Sequence, residues 1–356
     1  MKTWRKIISA ALALSMLAAL AGCGALSTGN STTGTSQSDG STAGNTEQKV
    51  LTMTFALSEQ SPHYPAGQKF AELVEEYTNG AYTVEVYPNS TLAGGNQLGA
   101  IEMVQKGTIS CGFLSPLVQC SIEPNLNALS IPFLWKDYDT IDAALTPGSD
   151  VDKALNAILA KTGYIAIAYA ENGYREVTNS VREIKTPDDL KGIKFRVIGS
   201  NMLFDFFKAM GANPMDMNFS ELFTGLQQGA VDGQENPIST VILPQRYYEV
   251  QDYMTIWNYS YEPHPLMFNL ELWNSFDADT QAAIQKAAVE ACEYQRQLSR
   301  DSTEDGIQTM RDAGMQVYEL TEEEKQAFRD IAAPIVEQYT AEFDPTLVEA
   351  LFAANE

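Results

Sequence analysis

The sequence predicts an α/β protein made of two sheet-and-helix units, joined by hinge segments and braced by one long helix. Three observations carry that prediction. Strand patterns alternate with helical patterns in residues 50–170 and again in 185–237, and such alternation marks a sheet covered by helices. Glu171-Asn172-Gly173 falls between the two runs, where a hinge belongs. A helical pattern then runs from 278 to 312 with no proline and a single glycine, Gly306, long enough to brace both units.

With 356 residues there is room for one large or two medium domains with substantial cores. The chain opens on Lys2, Arg5 and Lys6, then an apolar run from Ile7 to Ala21, ending in Leu20-Ala21-Gly22-Cys23. Residues 1–22 read as a secretory signal, too short to span a membrane well. The four residues ending at Cys23 look like a lipobox, with cleavage before Cys23 and lipidation of its thiol. An ordinary signal peptide or an uncleaved anchor is the plainer alternative. Residues 23–48 are mostly Ser, Thr, Gly and Asn, a composition that cannot bury a core and reads as a flexible tether.

Losing residues 1–22 removes three positive charges from a net charge of −23 and leaves about −26. So acidic a chain argues against nucleic acid and against a polybasic membrane patch. Local positive groups must then draw in any anionic ligand. No later apolar run is long enough to span a bilayer. Of the four cysteines, Cys111 and Cys120 are near enough to form a disulfide in an exported protein, and Cys292 reads as a buried thiol. No Cys/His cluster has zinc-ligand spacing, so no metal or other cofactor is expected.

Order begins near Val50, and Leu51–Leu57 reads as the first strand. Residues 65–79 form a helix with Phe70, Leu73, Val74 and Tyr77 on one face, closed by Gly80. Tyr82–Tyr87 is a second strand, Leu98, Ile101 and Val104 mark a helix stopped at Gly107, and Thr108–Leu114 is a third strand. Val151, Leu155, Ile158 and Leu159 give a further helix, and Tyr164–Ala170 a further strand.

The second unit opens at a turn capped by Thr186-Pro187-Asp188-Asp189. In the strand that follows, Ile193, Phe195 and Val197 share one face, so Lys194 and Arg196 point to the other. A helix with Leu203, Phe204, Phe207 and Met210 ends at Gly211, and the next runs from Ser220 to Gln228 with Gly229 beyond it. Tyr253–Tyr259 reads as a strand leading back to the first unit. Met315–Tyr318 is a late strand, Thr321 with Glu324 is a capping box opening another helix, and the tail from Pro345 is a short or frayed helix.

Arg196 lies near the carboxyl end of its strand, the edge at which ligands bind in open α/β sheets. A guanidinium there offers a fork that fits a carboxylate bidentately. Alone, an arginine at a strand end is ordinarily a solvated charge. The combination says more: Gly173-Tyr174-Arg175 with Thr178-Asn179, then Leu190–Val197, then Phe219-Ser220-Glu221-Leu222 running to Gly233-Gln234-Glu235-Asn236-Pro237. Over roughly residues 50–345 this resembles the solute-binding subunit of tripartite ATP-independent periplasmic (TRAP) transporters, the DctP-like family.

The resemblance implies a two-lobed periplasmic-binding-protein-like fold with hinge strands and a long bridging helix. Lobe I would hold 50–172 with about 262–301, and lobe II 173–261 with about 302–356. In that family the position of Arg196 clamps the ligand carboxylate, that of Arg175 assists, that of Asn236 bonds the same carboxylate, and that of Phe219 packs on the ligand. Ser58, Gln97 and Ser115, at or just after strand ends of the first unit, fall where the resemblance places first-lobe contacts. Sialic-acid receptors carry acidic residues near the places of Gln97 and Ser115, so the neutral groups here suit a smaller acid. His63, in the turn Gln60–Pro65, reads as a pocket lip or a surface loop histidine, whereas His264 reads as structural. Trp257, Tyr259 and Tyr261 are core by default, with Tyr259 the first choice to line the cleft.

Three functions compete. One is a lipid-tethered extracytoplasmic receptor that captures a small organic acid (a C4-dicarboxylate, keto acid or sugar acid) and hands it to a TRAP membrane permease. Another is a secreted lipoprotein hydrolase using paired carboxylates, but acidic residues scatter along helix faces. With only two histidines and no Gly-x-Ser-x-Gly elbow, no catalytic residues stand out, and no Gly-Lys-Ser/Thr loop supports ATP binding. The third is a ligand-binding sensory accessory.

Overall fold

The computed structural model describes residues 48–356. The expectations for the signal segment, Cys23 and the tether lie outside them. The first half is built from β1 (Lys49–Thr54), α1 (His63–Tyr77), β2 (Tyr82–Tyr87), α2 (Gln97–Gln105) and β3 (Cys111–Phe113). β1 runs parallel between β2 and β3. On α1, Ala66, Phe70 and Val74 form a helical-period stripe and are fully buried; burying Phe70 alone is worth about 1.5–3 kcal/mol. There follow α3 (Pro116–Gln119), α4 (Tyr138–Ala144) and α5 (Asp150–Leu159). Ser149 caps α5 by accepting from the Asp152 amide at 3.0 Å, with Asp150 in the first turn, where the helix dipole favours an acid.

β4 (Tyr164–Asn179) differs most from expectation. The strand does not stop at Ala170 but runs straight through the hinge tripeptide. Its register against the neighbouring strand slips between Glu171 and Gly173, and Gly173 absorbs the slip at φ 117, where a side chain would be strained. One strand thereby serves both halves of the sheet.

The second half contains β5 (Lys194–Arg196), α6 (Asn201–Ala209), β6 (Asn213–Met215), α7 (Phe219–Gln227) and β7 (Gly233–Pro237). β5 lies parallel between β6 and β7, and β7 runs antiparallel to residues 175–179 of β4. β8 (Tyr253–Ile256) ends three residues short of the expected Tyr259. Asn258 turns left-handed at φ 50, and the Trp257 and Asn258 amides leave the ladder to donate to the Glu176 carboxylate at 2.7 and 3.2 Å. β9 (Tyr261–Asn269) then returns to the first half, antiparallel between β3 and β4. The sheet order is β2-β1-β3-β9-β4-β7-β5-β6, with β8 pairing β4 off that path.

Beyond α8 (Leu270–Ser275), α9 (Ala278–Asp312) has the expected bounds. Its 35 residues span about 52 Å at 1.5 Å each, and it packs on α1 and β4 and on the turn at 238–242. Gly306 sits where a Cβ would stand 3.0 Å from the Leu243 side chain, so the glycine marks a close approach. β10 (Gln316–Glu319) pairs with β8, and α10 (Glu322–Thr340) opens on the Thr321–Glu324 capping box. α11 (Pro345–Ala354) is a helix packed on α4 and α5, although it closes the stretch expected in the second lobe. Cys111 and Cys120 do not pair; both are free and buried, as is Cys292. No helix among the described residues is long and apolar enough to cross a membrane.

Candidate functional site

Elements from both halves converge on one narrow cleft. The chain leaving β1 brings Ala56 and Leu57, the first residue of α2 brings Gln97, and the cap of α3 brings Ser115. Facing them are Arg196 at the end of β5, Phe219 at the start of α7 and Asn236 on β7. β4 and β9 supply Asn172, Glu262 and His264. The room between these walls is about 20 Å³, little more than one water needs. An adjoining chamber of about 200 Å³ shares Ala56, Gln97 and Phe219 and adds Asn89, Gln245 and Tyr247.

Arg196 is buried. Its Nε and Nη2 donate to the Met217 carbonyl at 3.2 and 3.1 Å, while the buried Nη1 has no partner. Burial pulls its pKa below the ordinary arginine value, with the Glu235 charge opposing. One edge of the fork is thus fixed by backbone and the other is left with an unmet donor. A buried orphan donor is costly, and here it lines a cleft that an anion could enter.

Arg175 departs from expectation: it is fully buried and does not line the cleft. Its Nε and Nη2 reach the Glu235 carboxylate, Nη1 reaches Glu262, and Nη2 also donates to the Asn236 side chain at 3.2 Å. With two carboxylates to satisfy, its fork has no edge to spare. Arg175 is instead a positioning group for Asn236 and Glu262. Asn236 is held from its other side by Gln234, accepting from Nδ2 at 2.5 Å.

Glu262 is the hub of the inner wall. It accepts from Ser115 and Arg175, and from Asn172 Nδ2 at 2.7 Å. Burial opposes its ionisation, but the Arg175 charge, with His264 and Ser115 alongside, holds its carboxyl down at about 2. Sequence reasoning missed Glu262 and Asn172. The available signal was a carboxylate inside Tyr261–Asn269, a strand buried at every position.

Three further expectations are corrected. His63 is not a lip residue. It is fully buried behind the cleft, bonded through Nε2 to His264 Nδ1 at 3.0 Å and through Nδ1 to Ser61 at 3.2 Å. The structure thus exchanges the expected histidines, since His264 lines the cleft and His63 supports it. Tyr259 is core, donating to Glu235 at 2.7 Å and stacked on Phe206. Ser58 is absent from the lining, where its neighbours Ala56 and Leu57 stand instead.

A larger cavity, about 710 Å³, lies against Glu171, Gly173, Tyr174 and Glu176 of β4. Its two buried carboxylates are already satisfied, Glu171 by Arg300 at 2.9 Å and Glu176 by backbone amides. The larger cavity is lined by the unmet but neutral Trp257 Nε1, whereas the smaller cleft holds the unmet and charged Arg196 Nη1, which suits an anion better. Among the described residues, no group of three or more His, Cys, Asp or Glu could hold a metal.

Residues 53–342 match DctP, the bacterial extracellular solute-binding proteins of family 7. This chain belongs to that family. The 2,3-diketo-L-gulonate-binding periplasmic protein YiaO of Escherichia coli K12 is 34% identical over 306 residues, covering 86% of this chain and 91% of that one. The C4-dicarboxylate-binding periplasmic protein DctP of Rhodobacter capsulatus is 32% identical over 316 residues, 87% and 92% of the two chains. Among solved structures, a TRAP periplasmic solute-binding protein from Ralstonia eutropha H16 with bound (S)-2-acetolactate aligns with a TM-score of 0.80. It shares 34% identity and covers 86% of this chain and 98% of that one. The two-lobed TRAP receptor fold is therefore the fold of this DctP-family chain.

Proposed function

We propose that this chain is the lipid-anchored, extracytoplasmic receptor of a TRAP transporter. It captures a small organic acid between its lobes and delivers it to the membrane permease. Arg196 Nη1 clamps the acid's carboxylate, with Asn236 beside it and Phe219 packed on the ligand. The chain of the acid extends past Gln97 into the adjoining chamber. The observation that carries this reading is the buried, partnerless Nη1 of Arg196 at the inner end of the cleft. The relatives' ligands support it, since diketogulonate, C4-dicarboxylates and acetolactate all carry a carboxylate. The cleft's inner end, about 20 Å³, admits an acid once the lobes part about the hinge strands. Closure over the acid then presents the permease with a single surface.

A thermal-shift screen over mono- and dicarboxylates tests the reading. An acid at ~100 times its dissociation constant adds about 2.7 kcal/mol of stability. Stoichiometric stabilisation without turnover supports the receptor. Product formation from an ester or glycoside supports a hydrolase instead.

A further inference from the structure

Two buried polar donors without a partner line the cleft: Arg196 Nη1 and His264 Nε2. The proposed function uses the first. The second is placed by a chain of hydrogen bonds whose direction can be read. Gln295 accepts from the Glu171 amide and donates to the Glu171 carbonyl, both at 2.8 Å, which fixes its side-chain amide. Its nitrogen then faces His63 Nδ1 at 3.5 Å, beside the Ser61 hydroxyl at 3.2 Å. Facing the Gln295 N–H, Nδ1 accepts, and the Ser61 hydroxyl is free to donate to it as well, so His63 carries its proton on Nε2 and donates it to His264 Nδ1 at 3.0 Å. Burial keeps His63 neutral. The remaining proton of His264 therefore sits on Nε2, at the cleft wall, 3.6 Å from Glu262 Oε1.

We infer that His264 is a specificity-determining residue, and that its Nε2–H, with Glu262, selects acids bearing a hydroxyl beside the carboxylate. The inference rests on the carboxylate clamp at Arg196. Both donors line the same narrow cleft, with room of about 20 Å³ between its walls, so one small acid held by its carboxylate at Arg196 can bring a neighbouring hydroxyl to His264. A second carboxylate oxygen at Nε2 would face the Glu262 carboxylate and be repelled. A hydroxyl avoids that conflict, because it accepts from His264 Nε2 and donates to Glu262 Oε1. Glu262 Oε1 has its Ser115 bond and lone-pair capacity to spare. Thus a 2-hydroxy acid meets the unsatisfied donor, and its deoxy partner leaves it buried and unmet.

The test uses matched pairs: lactate with propanoate, malate with succinate, and gluconate with 2-deoxygluconate. Calorimetry of the wild-type protein should show at least one hydroxy acid binding ~10-fold or more tighter than its partner. His264→Phe should collapse that ratio toward one, while shifting the deoxy acid less than about threefold. His264→Asn, which keeps a donor, should restore part of the ratio. Equal binding of each pair by the wild-type protein overturns the inference, as does an equal loss for both members in His264→Phe. Arg196→Ala separates the two readings. If it leaves every acid's affinity unchanged, or if no acid in any pair binds the wild-type protein, the clamp itself fails. If it weakens every acid while His264→Phe leaves the ratio intact, only the role of His264 fails.

Discussion

At the scale of single residues, some side chains line the cleft and others hold that lining in place. Arg196, Gln97 and Ser115, which the sequence places at strand ends, and Asn236 and Phe219, which the family resemblance implies, all line the cleft. Arg175 does not, because two distant carboxylates, Glu235 and Glu262, claim its fork. Neither partner is a sequence neighbour, so no local pattern announces them. A separate buried carboxyl, Glu176, produces a pH effect. Burial, opposed by the Trp257 and Asn258 amides, pushes its carboxyl from an ordinary 4.5 up to about 8. Between those values the folded chain keeps a proton that the unfolded chain has lost, so this group lowers stability as pH rises. Glu176→Gln keeps an oxygen for both amides and removes the titration. Thermal melts from pH 5 to 8 should show the wild-type midpoint falling relative to the variant's. Parallel curves would contradict the assignment.

At the scale of elements, α9 was legible to the residue because its periodicity is uninterrupted. β4 was not, since Gly173 looks like a strand end and acts as a register slip within one. These two elements are joined by Arg300. It forks onto Asp142 of α4 with both bonds at 2.8 Å and reaches Glu171 of β4 at 2.9 Å. Glu171 is 1% exposed. Removing the arginine leaves that carboxylate buried without its countercharge. Arg300→Ala should therefore cost roughly 3 kcal/mol or more in urea unfolding, and Arg300→Lys should recover part of it. A loss under about 1 kcal/mol would mean that the brace does not depend on this contact.

At the scale of the whole molecule, two lobes and a brace followed from the alternation of patterns, while the return of α11 to α4 and α5 did not. A short apolar helix at a chain end carries no mark of which surface it will cover. The N-terminal expectation has its own test. Cys23→Ala should release the receptor from the membrane fraction with unchanged ligand affinity, whereas retention would make the apolar run itself the anchor. The central claim is that one arginine holds the carboxylate on which capture depends. Losing one partner of a buried charge pair costs roughly 2–5 kcal/mol. Calorimetry with the best acid from the screen should accordingly show Arg196→Ala binding about thirty-fold or more weakly with its melting point preserved. Arg196→Lys should recover only part, because an ammonium lacks the fork. Wild-type affinity in Arg196→Ala would contradict the account.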